Sequence, residues 1–155
     1  MQQALIKQLD EDIQLAQQLI ALADEEFEAL AQRDLQALEG LLARKQPLLA
    51  LLGQHGKERT SLLTGNRLPA SREGLVQLLK GSDDAEEVLS RADDLQALLE
   101  RCRTANQRNG RLIGANQAVV GKMIGLLKGA PETPSLYDRK GGTTRSYSNK
   151  PLSQA

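Results

Sequence analysis

The side chains able to do chemistry are few and scattered. His55 is the only histidine and Cys102 the only cysteine among 155 residues. A metal-binding or proton-transferring imidazole needs company, usually a second histidine, a cysteine or a carboxylate at local spacing. His55 lies in "GQHGKER" beside Gly53 and Gly56, has no second histidine or cysteine in local spacing, and reads as an exposed residue near a helix end. Cys102 falls on an apolar seam among Leu95, Leu99 and Ile113, where a thiol behaves as a small buried hydrophobe and not as a nucleophile. Being alone, it makes no internal disulfide. The acidic clusters "DED", "DEE", "DD" and "EE" read as outward helix faces carrying solvated charge. The glycines follow neither a phosphate-loop nor a dinucleotide-binding pattern. No catalytic, metal or cofactor set assembles, so the reading is not an enzyme; His55 facing several acids in a cleft would reverse it.

Charge excludes two further classes. Twenty basic and twenty acidic residues cancel, so no whole-protein field recruits nucleic acid or an anionic membrane. The apolar runs fall far short of the roughly 20 residues of a membrane span, and "MQQALIKQLDEDIQLAQQL" lacks the basic start and unbroken apolar run of a secretory signal. A soluble cytoplasmic protein without membrane insertion is expected. Locally the balance is uneven. Residues 1 to 42 hold nine acids against Lys7 and Arg33, whereas residues 130 to 155 hold Arg139, Lys140, Arg145 and Lys150 against Glu132 and Asp138.

The elements that must position these residues are helices. Apolar content rests on Leu, Ala, Ile and Val, with Phe27, Tyr137 and Tyr147 the only aromatic residues, a composition suited to the interdigitating rows of an all-α bundle. One core is expected from a chain of this length. Ile6, Leu9, Ile13, Ala16, Ile20, Ala23, Phe27 and Leu30 alternate at steps of three and four, the seam of a coiled-coil helix. Asp34 then stands as a cap before a second stripe, Leu35, Leu38, Leu42, Leu49 and Leu52; whether the chain turns back or only kinks there stays open. Pro47 inside that stripe predicts a kink near Lys45. "TGNRLPAS" is a loop, Ser71 caps a short helix through Leu79, and Asp83 with Glu86 forms a capping box. The last helix is expected over about 83 to 128, on the seam Val88, Ala92, Leu95, Leu99, Cys102, Asn106, Asn109, Ile113, Asn116, Val120, Met123 and Leu127. The architecture is an antiparallel bundle or coiled-coil hairpin of long helices over 1–129, with a tail from 130 to 155.

Two features of the last helix stand out. Asn106, Asn109 and Asn116 occupy seam positions, and a buried amide left unpaired costs about 1 to 3 kcal/mol. Either they pair across the bundle and set its register, or this stretch of seam faces water until a partner arrives. On another face lie Gly110, Gly114, Ala118, Gly121 and Gly125. Glycine in a helix interior costs about 1 kcal/mol relative to alanine, so these need a reason: close approach of another helix of the same chain, or a flat groove for a partner's helix.

Beyond "KGAP" the periodicity ends. Ordering about 20 residues costs on the order of 20 to 40 kcal/mol, while Leu136, Tyr137, Tyr147 and Leu152 return at most roughly 1.5 to 3 kcal/mol each. The tail is expected to be disordered until a partner supplies surface, and its tyrosines suit such a contact.

The acidic leading helix, "LEGLLARKQPLLALL", "NQRNGRLI" late in the last helix and "YDRKGG" after a Pro-containing linker together resemble FlgN-type flagellar export chaperones, over nearly the whole chain. The resemblance implies a cytoplasmic, non-enzymatic, helical chaperone of flagellar type III secretion, which holds the hook-filament junction proteins FlgK and FlgL by their C-terminal helical segments. It implies that premature assembly is prevented and the client delivered to the export apparatus. Asn106, Asn109, Gly110, Leu112 and Ile113 match the family's late-helix motif, and Tyr137 with Gly141 its tail motif; Pro47 and Tyr147 match neither. The expected client surface is the last helix from Asn106, with Ile113, Asn116, Val120, Met123 and Leu127, together with the tail. The alternative is a self-associating coiled coil, a homo-oligomer in which the same seams pair with another copy.

Overall fold

The first apolar seam becomes a helix of 30 residues, α1 (Gln2–Ala31). In this computed structural model the described residues are 1–128, 135–137 and 143–145, with side chains described through 114. The chain turns back after α1. Arg33 adopts a left-handed φ of 57°, which lets the Asp34 amide donate to the Ala29 carbonyl at 2.8 Å. Asp34 then caps α2 (Leu35–Gly65), its Oδ1 accepting from the Ala37 amide at 3.0 Å, so the cap read from the sequence is the turn of a hairpin. α2 continues as one helix through Pro47. Pro47 and Ala43 are both exposed, and the carbonyl that proline leaves without its donor is reached by water.

α3 (Arg72–Leu78) starts at Ser71, whose Oγ accepts from the Gly74 amide at 3.4 Å. Glycine is required at 74, because a Cβ there would run into the Pro69 carbonyl. α4 (Ala85–Lys128) begins two residues later than expected. The capping box of Asp83 and Glu86 is not what opens it: Ser82 Oγ accepts from the Asp84 amide at 3.2 Å.

The bundle runs up, down and up. α1 is antiparallel to α2, since Gln8 meets Glu58, Asp12 meets His55 and Glu26 meets Lys45. It is parallel to α4, since Gln3 meets Asp84, Asp10 meets Arg91, Ala16 meets Cys102 and Ala23 meets Asn109. α1 packs along both long partners and α3 bridges α2 and α4, which do not pack directly on each other.

α1 therefore buries two stripes. Towards α4, Ile6, Leu9 and Ala16 join Leu75, Leu79, Val88 and Leu95 in the main core, with Ile13, Leu99 and Cys102 packed on it. Leu22 and Ala29 join Leu41, flanked by Leu38 and Leu48, in a second cluster with α2. The seam read from the sequence carries the α4 contact. The second stripe adds Leu15, Leu19 and two carboxylates, Asp12 and Glu26.

The tail expected from 130 lies outside the described residues, except for two short strands. β1 (Ser135–Tyr137) pairs antiparallel with β2 (Thr143–Arg145), Leu136 opposite Thr144.

Candidate functional site

Polar groups are built into the helix seams at three levels. At the first, Asp12 is fully buried. Its Oδ1 accepts from His55 Nδ1 at 2.6 Å and its Oδ2 from Arg59 Nη1 at 2.5 Å. Arg59 also donates to Gln8 Oε1 at 3.1 Å, and Glu11 Oε2 stands 3.9 Å from His55 Nε2. This corrects two expectations. His55 is not an exposed helix-end residue but a buried member of the α1–α2 seam, and the middle residue of "DED" is no solvated charge. The reason is spacing: Asp12 belongs to the α1 stripe Leu5, Asp12, Leu15, Leu19, Leu22, Glu26, Ala29, which faces α2. His55 thus meets two acids, but between packed helices and beside a guanidinium. The cavity next to Arg59 is lined by neither Asp12 nor His55.

At the second level, Lys45 Nζ donates to Glu26 Oε1 at 2.8 Å and to Asn106 Oδ1 at 3.4 Å, tying all three long helices together. At the third, Asn109 Nδ2 donates to the Ala23 carbonyl at 2.8 Å. Arg108 beside it donates to Asp24 at 3.1 Å and covers the Phe27 ring at 4.2 Å.

These contacts place the expected site residues. The asparagines divide: Asn109 is buried and satisfied by α1, whereas Asn106 lies on the exposed edge of the seam under Lys45. Leu112 and Ile113 are half-buried. Gly110 and Gly114 are exposed, and a Cβ at either would meet nothing within 4 Å. Close approach of another helix of the same chain is therefore not what these two glycines serve. The side chains of Asn116, Val120, Met123 and Leu127, and Gly141, lie outside the described residues; Tyr137 is placed by its backbone pairing with Thr143.

The helix carrying this face runs past the end of α1 and also meets β1. Ala23 is level with Asn109, so the end of α1 at Ala31, eight residues on, is level with residue 117, yet α4 continues to Lys128. That excess is roughly 16 Å of helix.

Two titrating groups bear on reactivity and anchoring. Burial pushes the Cys102 thiol up, partly offset by Lys45 and Arg101; its Sγ donates to the Ala16 carbonyl at 3.5 Å, as suits a packing role. The Arg72 guanidinium, hydrogen-bonded to Asp93 at 2.7 and 3.0 Å, holds that carboxyl below the usual range and ties α3 to α4 at the surface. Among the described residues, no helix is long and apolar enough to cross a membrane and no group of three or more histidine, cysteine or acidic residues could hold a metal ion.

Such a scaffold defines an elongated helical-bundle protein whose offerings are helix faces and open grooves. The chain belongs to the FlgN family, whose model, described as "FlgN protein", matches residues 1–145. A solved structure of a flagella synthesis protein FlgN from Pseudomonas aeruginosa is 44% identical, with a TM-score of 0.68 over 80% of this chain and 95% of that one. No curated protein matches. Membership makes the chain a flagellar export chaperone, a protein of flagellum biogenesis.

Proposed function

We propose that the chain is a cytoplasmic, non-enzymatic chaperone that binds the C-terminal helical segments of hook-filament junction proteins of the FlgK and FlgL kind, holds them from premature assembly and hands them to the flagellar export apparatus. The observation that carries this reading is the family match over residues 1–145. The geometry is in keeping with it. α4 extends past the end of α1, and Gly110 and Gly114 present bare backbone to solvent. In this reading Ile113, Asn116, Val120, Met123 and Leu127 meet the client's amphipathic helix, Asn106 and Asn109 keep α4 in register, and Tyr137 and Gly141 add a tail contact.

Calorimetric titration of the full chain, and of a chain cut after Gly129, with the C-terminal helical region of a junction protein tests the proposal. Binding by the full chain that weakens at least tenfold on truncation is expected. No binding by either chain would overturn it.

A further inference from the structure

α3 is held differently from the helices around it. α2 and α4 do not pack directly on each other, and α3 lies between them as the bridge. The backbone hydrogen bonds of the segment that carries it stay local: Leu68 donates to Leu63 in the last turn of α2, Leu75 to Ser71 and Leu79 to Leu75. Moving the segment therefore breaks no ladder to another element. Both its ends pass through left-handed backbone, Arg67 at φ 59° and Gly81 at φ 82°, at loop positions of the kind that absorb a change of direction. Between them the piece is compact, because Gly74 sits against the Pro69 carbonyl so closely that no Cβ fits. Its ends are pivots and its middle is stiff.

Two attachments hold this piece down. Leu75 and Leu79 enter the main core beside Leu5, Leu9, Val88 and Leu95. At the surface Arg72 grips Asp93 of α4 with hydrogen bonds of 2.7 and 3.0 Å, and both side chains are more than half exposed. Among the described residues, that pair is the only polar side-chain tie from residues 67–81 to another helix. The cover is also incomplete. A cavity of about 350 Å³ lies against α3, walled by Leu5 and Leu9 of α1, Leu63 of α2, and Leu95 and Leu99 of α4, with Arg72 and Leu75 closing the α3 side. Side chains that border an unfilled space lack contacts on that side, so α3 is gripped less firmly than the long helices grip each other.

We propose that residues 67–81 form a strap that swings away from the bundle as one piece, pivoting at Arg67 and Gly81 with the Arg72–Asp93 pair as its latch, and so opens the leucine-lined cavity while the three long helices stay in place. Opening uncovers apolar surface where α1 begins and α2 ends, at the opposite end of the bundle from the stretch of α4 that outruns α1. The strap is thus a device separate from the client surface on α4.

Hydrogen exchange on the full chain tests this. The amides of Leu75 to Leu79 are expected to exchange together, and at least tenfold faster than those of Leu9 to Ala23 in α1. Unlatching by Asp93→Asn or Arg72→Gln is expected to speed them roughly two- to fivefold further, as is raised salt, with α1 unchanged. A thiol set in the cavity wall, Leu63→Cys in a Cys102→Ser chain, is expected to react with a maleimide faster by a similar factor when Asp93→Asn is added. Exchange of α3 at the rate of α1 would overturn the proposal, since α3 would then open only with the whole fold. So would latch variants that leave α3 exchange unchanged, or that speed α1 and α3 alike. If α3 exchange quickens while the Leu63→Cys thiol stays as protected as before, α3 frays without uncovering the cavity, and the proposal falls as well.

Discussion

Asp12 shows how much one residue can decide. A carboxylate removed from water is tolerated only when its oxygens are paired, and here His55 and Arg59 take one each. Asp12→Ala strands those two partners, and a loss of about 3 kcal/mol is expected, read by chemical denaturation. Replacing all three by Leu, Leu and Met should recover most of that loss, because the site then needs no pairing. The role of this residue was hidden in the sequence, where "DED" and "DEE" look like solvated runs. A usable signal existed: Asp12 and Glu26 fall two heptads apart on one stripe of α1, while Lys45, His55 and Arg59 share the matching stripe of α2. Antiparallel pairing sets acid against base at both levels. A slip of one heptad would bury Asp12 without its partners, so the pairs fix register.

At the scale of the element, α2 is the helix whose sequence and surroundings agree least. Its stripe of leucines was legible, yet a seven-residue repeat is the same whether the seam is covered or open, and Leu35, Leu42 and Leu49 are largely exposed. Pro47 sits within this helix without ending it. Proline in a helix interior costs about 3 kcal/mol relative to alanine, and Pro47 is exposed. Pro47→Ala is therefore expected to stabilise the fold by about 1 to 3 kcal/mol, seen as a higher thermal midpoint. The seam of α4 was the more faithful guide as far as it is described, from Val88 to Asn109. There the amide that could have marked an open seam is paired with the Ala23 carbonyl.

In the whole molecule, α1 is the common partner. Both its stripes are covered, one by α2 and one by α4, whereas among the described residues α2 packs only on α1 and α3. Amides of α1 between Leu9 and Ala23 are expected to be the slowest to exchange with deuterated water, and those of α2 around Leu42 markedly faster; equal rates would contradict this arrangement. The helices themselves followed from periodicity. Their neighbours did not, because a helix seam records that a partner exists and not which one, and only long-range pairs such as Arg91 with Asp10 or Asn109 with the Ala23 carbonyl show that the third pass returns beside the first.

The central place of α1 has a consequence for how the protein is made. α1 is translated before either of its coverings, and its bond to Cys102 spans 86 residues. While α4 is still within the ribosome, α1 and α2 can close their hairpin, but Ile6, Leu9 and Ala16 lack their partners Val88 and Leu95 and meet water or a passing helper there. Until its last helix emerges, the nascent chaperone itself needs shelter.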